Sequence, residues 1–321
     1  YKQGVKNFLI SIWEASYENY NANFFLVDNT LKALQALAMY HRDNFTSQAE
    51  LFRFPIIGVT GSNGKTIVKE WLYQLLKDKF NCCRSPKSYN SQIGVPLSVL
   101  NLNQEHNLGI FEAGISQTNE MERLAMIIKP KIGIITNIGN AHNAGFHSIE
   151  EKIEEKIKLF YCADTVICPS KYGIEKYFTK KLTQLITWGI NDEKAVINVS
   201  KTTEGNGTIV KFEYNNRAYE YKIPFTDDAS IENALNAIIC CVFLSISDLN
   251  TESLEPVAMR LELKQGINNC TLINDSYNSD LGGLSIAMDF LNSQSKNTGL
   301  SKTLILSDIA QTGADDKSLY T

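Results

Sequence analysis

The chain has 321 residues, 44% of them hydrophobic and 21% charged, with a formal net charge of −4. That length exceeds what one compact core usually takes, so two or more domains are expected. The mild acidity, with no long basic block, argues against a nucleic-acid partner. The most apolar segment, Ala234 to Ile246, is interrupted by Asn236 and is too short to cross a bilayer, so no membrane insertion is expected.

In chain order, residues 29 to 42 carry apolar positions at helical spacing and predict a helix. "PIIGVT" then reads as a strand leading into a helix from about Lys65. "NLGIFEAG" and "KIGIITNIG" are short apolar runs that end in polar or Gly residues, and "ADTVICP" and "LITWG" are further short strands. Ser148 to Tyr161 reads as a helix. Strands alternating with helices imply right-handed crossovers and a mainly parallel sheet. From about Ala195 to Pro224 the runs "AVINVS", "GTIVKFEY" and "RAYEYKI" alternate between apolar and polar residues. They are joined by "EGNG" and "NNR", which predicts an antiparallel meander appended to the core. A buried helix follows at Ser230 to Ile246. A second α/β pattern comes after it: strand "TLINDS", a helix from about Gly282, and strand "KTLILSD".

Seven cysteines occur, among them the adjacent pairs Cys82-Cys83 and Cys240-Cys241, with no C-x-x-C spacing. Reduced, buried thiols in a cytoplasmic protein are expected, not a zinc site or a disulfide frame. The first residue is Tyr1, and the last stretch, "GADDKSLYT", reads as the opening of a helix. Both point to a piece of a longer protein.

The sharpest motif is Gly61-Ser62-Asn63-Gly64-Lys65-Thr66, between a strand and a helix. The usual phosphate loop is G-x-x-x-x-G-K-[ST]. Here Val59 stands where its first Gly would fall, and Gly61 lies closer to the Gly-Lys-Thr end. The mechanics are kept: backbone N–H groups at a helix N-terminus cradle phosphate oxygens. Lys65 supplies a point charge to the β/γ-phosphates, and the Thr66 hydroxyl can ligate Mg²⁺.

A lysine also stands out on the Ser148 to Tyr161 helix. Ile149, Ile153, Lys156 and Phe160 fall on one stripe, while Glu150, Glu151, Glu154 and Glu155 lie off it. Lys156 is therefore centred on a buried face, where an unpaired ammonium is costly. It could snorkel or pair with a buried carboxylate, or serve the chemistry of a site. Lys158 is expected on the opposite, outer side. Of the histidines, His41, His106 and His147 have no pattern around them.

The narrower form T-G-x-N-G-K-T resembles the Mur ligases and their folylpolyglutamate synthetase relatives, which are three-domain, ATP-dependent, amide-forming enzymes. "NSQIGVPLSVL", "FEAG", "ITNIGNAH" and "INDSYNSD" are similar to further family segments and stand in family order. The last run resembles the branch that adds D-alanyl-D-alanine. The resemblance implies a cytoplasmic, monomeric ligase acting on a UDP-muramoyl tripeptide, D-Ala-D-Ala and ATP with Mg²⁺. It implies that residues 1–52 are the tail of a UDP-sugar-binding domain. Residues 53–253 would be the ATP-binding domain, and 254–321 the start of a Rossmann-like amino-acid-binding domain.

By the same resemblance Thr66, Glu112 and His142 would hold Mg²⁺, together with Lys156 as a carbamate. Lys65, Glu112, His142 and Lys156 would be the catalytic set. Asn233 would read adenine, although the family's Gly and His before it are replaced in "DDASIEN". Arg260 and Asp275 would contact the nucleotide, and Asn90 and Ser91 would line the muramoyl-peptide side. Ser91 stands where the family has a second Asn, and Lys158 where it often has Glu. The nearest alternatives are a sister ligase adding a single amino acid and a folylpolyglutamate-type synthetase. A P-loop kinase or regulatory NTPase would need a strand-borne Asp where this chain has Glu112. A nucleotide-binding module without turnover is the remaining alternative.

Overall fold

The computed structural model describes residues 1–48, 55–139, 146–178, 184–257, 262–276, 281–296 and 301–306. Two short parallel strands, β1 (Asn7–Ile10) and β2 (Asn23–Leu26), precede helix α1 (Thr30–Gln48). The central domain then alternates: β3 (Ile56–Thr60), α2 (Lys65–Leu76), β4 (Cys82–Arg84), α3 (Gly94–Val99), β5 (Leu108–Glu112), α4 (Met121–Ile128) and β6 (Ile132–Ile135). It continues with α5 (Ile149–Ile157), β7 (Thr165–Pro169) and β8 (Gln184–Ile190). The meander is β9 (Ile197–Glu204), β10 (Gly207–Tyr214) and β11 (Arg217–Ile223), followed by α6 (Asp228–Phe243). A hairpin of β12 (Glu262–Gln265) and β13 (Thr271–Asn274) leads to α7 (Leu281–Lys296).

One nine-stranded sheet runs in the order β11-β10-β9-β8-β7-β6-β3-β5-β4. Every pairing from β4 across to β9 is parallel, and the last two are antiparallel. The meander is therefore a continuation of the parallel sheet, because β9 pairs with β8 and carries the ladder into β10 and β11. Its tight turn at Asn215 and Asn216 places both residues at positive φ, 52° and 59°. That is the geometry whose twist matches a two-residue hairpin.

Alternate residues of β3 feed opposite cores. Ile57 and Val59 pack with α2 and α6, and Ile56 packs with α3, α4 and α5 on the other face. The parallel strands are buried on both sides, which explains their unbroken apolar runs. Asn236, the polar interruption in α6, is fully buried and accepts from Trp188 Nε1 at 3.1 Å. β3 lies between β6 and β5, so the chain reverses its direction of travel across the sheet there. That reversal opens a crevice at the C-terminal ends of these strands.

Three expectations change. The stripe on α5 is broader than drawn: Ile149 is exposed, whereas Lys152 and Glu155 are buried beside Ile153 and Lys156. The helix is covered on two sides, by α4 and by the loop after β3, so a single stripe underestimates its burial. Residues 302–306, the described part of "KTLILSD", form no strand. The strand "TLINDS" pairs antiparallel with β12, so after residue 254 the described residues show a hairpin and a helix and no parallel unit. The sequence patterns of β1, β2, β4, α3, α4 and β12 were too short or too irregular to mark them.

Candidate functional site

The loop between β3 and α2 lies at the switch point of the sheet. Its conformation depends on two glycines. Gly64 precedes α2 with φ +79°, and a Cβ there would fall 2.2 Å from Asn233 Oδ1. At Gly61, φ +151°, a Cβ would fall 2.0 Å from Thr136 Oγ1. Both positions need the left-handed region and the missing side chain.

The end of β6 holds the other side of the loop. Ser62 N donates to Asn137 O (2.9 Å) and Asn63 N to Asn137 Oδ1 (2.7 Å). Thr136 Oγ1 donates to Asn63 O at 2.5 Å, and Gly139 N donates to Ser62 Oγ at 2.9 Å. The motif "TN" in the sequence is thus the brace of the phosphate loop, which explains its place beside it.

Lys65 Nζ donates to Gly61 O and Ser62 O, at 3.0 and 2.9 Å. Thr66 Oγ1 donates to Glu112 Oε2 (2.9 Å) and lies 3.0 Å from Ser88 Oγ. Glu112 ends β5 and is fully buried. Lys156, 3% exposed, reaches from α5 to Gly61 O at 3.0 Å. Burial pushes its amine well below the usual lysine range, and the neighbouring charges of Lys65 and Lys152 push it further. Lys152, which no sequence signal singled out, is 1% exposed and donates to Gly139 O at 3.0 Å.

A cavity of about 730 Å³ runs past this loop. Its walls include Asn90, Ser91 and Gln92 together with Tyr172, Glu232 and Asn233. Asn233 is buried against Gly64. Asp275 follows β13 and lines the same cavity. Asn90 accepts from Gly114 N through its carbonyl, at 2.8 Å. The Ser91 hydroxyl accepts from Gly94 N at 3.1 Å and so caps α3. That contact explains a short polar residue at this position independently of any ligand.

The structure thus brings together Gly61 to Thr66, Glu112, Lys156, Asn233, Asp275, Asn90 and Ser91. His142 and Arg260 lie outside the described residues, as do Tyr277 and Asn278. The other histidines have local roles: His41 Nε2 is 2.7 Å from Leu102 O, His106 accepts from Asn103 N, and His147 contacts Glu151.

Among the described residues no cluster of three or more His, Cys, Asp or Glu side chains forms a metal centre. The grouping of Thr66, Glu112 and Ser88 does present hydroxyl and carboxylate oxygens together. These are the donor types that Mg²⁺ takes, usually with waters and substrate phosphates completing its shell.

These contacts and the fold define a phosphate-loop α/β domain with its ligand crevice at the sheet's switch point. The model of the Mur ligase middle domain matches residues 59–241, and the chain belongs to the Mur ligase family. It is 27% identical over 325 residues to the UDP-N-acetylmuramoyl-tripeptide–D-alanyl-D-alanine ligase of Bacillus subtilis (strain 168). That alignment covers 96% of this chain and 67% of the relative. It is 29% identical to the enzyme of the same name from Buchnera aphidicola subsp. Baizongia pistaciae, over 91% of this chain and 63% of the relative. The chain therefore spans about two thirds of the length of these curated relatives.

Among solved structures it is similar to MurF from Acinetobacter baumannii, with TM-score 0.76 and 21% identity. That match covers 89% of this chain and 62% of that one. It is also similar to the MurF ligase of Thermotoga maritima in complex with ADP, with TM-score 0.73 and 20% identity, over 91% and 73% of the two chains. No helix among the described residues is long and apolar enough to cross a membrane.

Proposed function

We propose that this chain carries the nucleotide site of an ATP-dependent ligase that adds D-alanyl-D-alanine to a UDP-N-acetylmuramoyl tripeptide. The observation that carries the reading is the convergence of Lys65, Thr66, Glu112 and Lys156 on one loop at the switch point. The names of the relatives, and the ADP held by the Thermotoga structure, support the choice of substrates.

The chemistry has two steps. The tripeptide carboxylate attacks the γ-phosphorus of ATP, ADP leaves, and an acyl phosphate forms. The free amine of D-Ala-D-Ala then attacks that carbonyl, phosphate leaves, and a proton is lost from nitrogen. Carboxylate and triphosphate are both anionic, so the site must neutralise charge before they can meet. The N–H groups of Ser62 and Asn63 are engaged by Asn137, which holds the loop in shape. The N-terminal end of α2 supplies its dipole to the phosphates. Lys65 would exchange its carbonyl partners for phosphate oxygens. Glu112 and Thr66, with His142 and Lys156, would hold Mg²⁺, which supplies Lewis-acid charge neutralisation when bound.

Lys156 enters this set through its neutral amine. The amine adds to CO₂, one proton is released, and an anionic carbamate results that offers oxygen ligands. Asn233 and the Tyr172 side of the cavity take the nucleoside. The side of Asn90 and Ser91, beyond Thr66 and Glu112, takes the muramoyl peptide. Residues 1–52 belong with the UDP-sugar-binding part, 53–253 with the ATPase, and 254–321 with the amine-binding part, to which Arg260 and Asp275 contribute.

The test is phosphate release by the whole protein that contains this chain, with ATP, a muramoyl tripeptide and each candidate amine in turn. D-Ala-D-Ala should support release at least tenfold faster than any single amino acid. Equal rates with L-Lys or diaminopimelate on a dipeptide precursor would assign a sister reaction instead.

A further inference from the structure

α2 carries a buried lysine that this chemistry does not use. Lys69 lies one turn beyond Thr66 and has no exposed surface. Its ammonium donates to Ser85 O at 2.7 Å and to Lys87 O, and it pairs with Glu70 at 2.9 Å. Glu70 in turn accepts from Arg84 Nε at 3.0 Å, and the Arg84 guanidinium lies over the Tyr73 ring. The two carbonyls belong to the segment that leaves β4 and crosses the C-terminal end of β5.

That segment has no regular ladder to hold it. Lys87 sits at φ +47°, a conformation an L side chain adopts only when its surroundings impose it. Ser85 N to Ile110 O (3.1 Å) anchors one end, and Gly114 N to Asn90 O (2.8 Å) anchors the other. Between the anchors Ser88 meets Thr66, and Asn90 reaches the cavity. Placing a cation in a dry interior is costly, and an apolar side chain of equal length would fill the same space with less desolvation. The benefit of the cation lies in what it holds: two loop carbonyls at once, by charge-assisted hydrogen bonds.

We propose that Lys69 is a positioning residue for the acceptor substrate, clamping the Ser85–Ser91 segment so that Ser88 and Asn90 face the phosphate loop. The proposal rests on the ligase reading above and extends it. Lys69 does not touch ATP. It fixes the wall against which the muramoyl peptide's carboxylate must approach the γ-phosphate, where a small displacement costs rate.

Hydrogen exchange on this chain tests the clamp without any need for turnover. In the unaltered chain the amides of Tyr89 and Asn90 should exchange as slowly as those of α2, although Tyr89 is 42% exposed. In Lys69→Met these two amides should exchange at least tenfold faster, with α2 unchanged and ATP affinity by calorimetry within threefold. In the whole protein the same variant should raise KM for the muramoyl tripeptide at least tenfold and KM for ATP less than threefold. Unchanged exchange at Tyr89 and Asn90, or ATP affinity falling as much as peptide affinity, overturns the proposal. Should Lys69→Met fail to fold, the unaltered chain decides: rapid exchange at Tyr89 and Asn90 overturns the clamp, and protection shared with α2 supports it. Failure of the unaltered chain to bind ATP would count against the ligase reading and leave the exchange result standing.

Discussion

Lys65 and Lys156 donate to the same carbonyl oxygen, that of Gly61, each at 3.0 Å. Two amines on one acceptor cannot both carry full charge cheaply in a site this dry. Lys156 is the buried partner, and its amine is the one pushed down, by burial first and by the charges of Lys65 and Lys152 after it. The lowered amine of Lys156 suits the carbamate proposed for it, with Lys65 left to face phosphate.

Replacing Lys65 by Ala should reduce ATP affinity at least 100-fold, about 2.7 kcal/mol, with the thermal midpoint within a few degrees of the original. Lys65 is the first residue of α2, directly after the loop, and belongs to neither apolar core, so the fold does not depend on it. Calorimetric titration with ATP checks the first statement and a melting curve the second. Wild-type affinity in the variant would remove the phosphate-loop assignment.

Lys156→Met should abolish turnover without loss of stability. A buried amine is exchanged for an apolar side chain of similar length, so the urea midpoint should stay or rise, by ~1 kcal/mol or more in stability. In the unaltered protein, stripping CO₂ at mildly acidic pH should lower activity, and bicarbonate should restore it. A variant with normal turnover, or an unaltered protein indifferent to CO₂, would exclude the carbamate.

Lys158→Ala should be destabilising, contrary to its expected place on an outer face. Lys158 Nζ lies 2.6 Å from Glu155 Oε2, and the Glu155 side chain is only 3% exposed. Glu155 also accepts from Met121 N at 3.0 Å, tying α5 to the start of α4. Where the family often has Glu, this chain has a lysine that pairs with its own buried carboxylate. Burial acts to raise the Glu155 carboxyl. The hydrogen bonds from Lys158 and from the Met121 and Asn119 backbone outweigh it and leave the group below its ordinary value. A lowered folded pKa means stability that is present above about pH 4.5 and lost as pH falls through the folded value. Lys158→Ala should cost about 1–3 kcal/mol at pH 7, less than a fully buried pair because Lys158 is partly solvated. The loss should shrink towards pH 3. Urea unfolding at several pH values measures both, and a variant of unchanged stability at pH 7 would refute the pair's importance.

Thiol alkylation at pH 8 in the native state should modify Cys162 and Cys270 and spare the other five. Those two are exposed, and none of the seven is in a disulfide. Burial raises Cys82 to about 11, against a lesser pull from Arg84. It raises Cys83 and Cys240 to about 12, and it pushes Cys168 and Cys241 up as well. Thiolates are the reactive form, so mass spectrometry after brief iodoacetamide treatment should find two adducts. Rapid modification of Cys240 or Cys241 would show that α6 is not buried as described.

The parallel core and the phosphate loop are legible in the local pattern of residues. Unbroken apolar runs that end at Thr60, Glu112 and Ile135 mark strands buried on both faces, and the spacing of Gly61, Gly64, Lys65 and Thr66 leaves little choice of local structure. These are short-range signals, set by residues a few positions apart. Lys156 was also visible, because a lysine among apolar positions conflicts with helical periodicity.

The relationships between segments far apart in the chain emerge only in the packed fold. That Lys69 and Lys152 are buried cations could not be read, since on a helix a lysine's own neighbours do not reveal which carbonyls another loop will present. The exposure of Ile149 and the burial of Glu155 follow from α4 and the phosphate loop covering α5 on two sides. The meander's union with the main sheet depends on β9 pairing with β8, a choice made by edge hydrogen bonds and not by alternation. The partnership of Lys158 with Glu155 arises because a carboxylate drawn into the core to cap α4 needs a cation within reach.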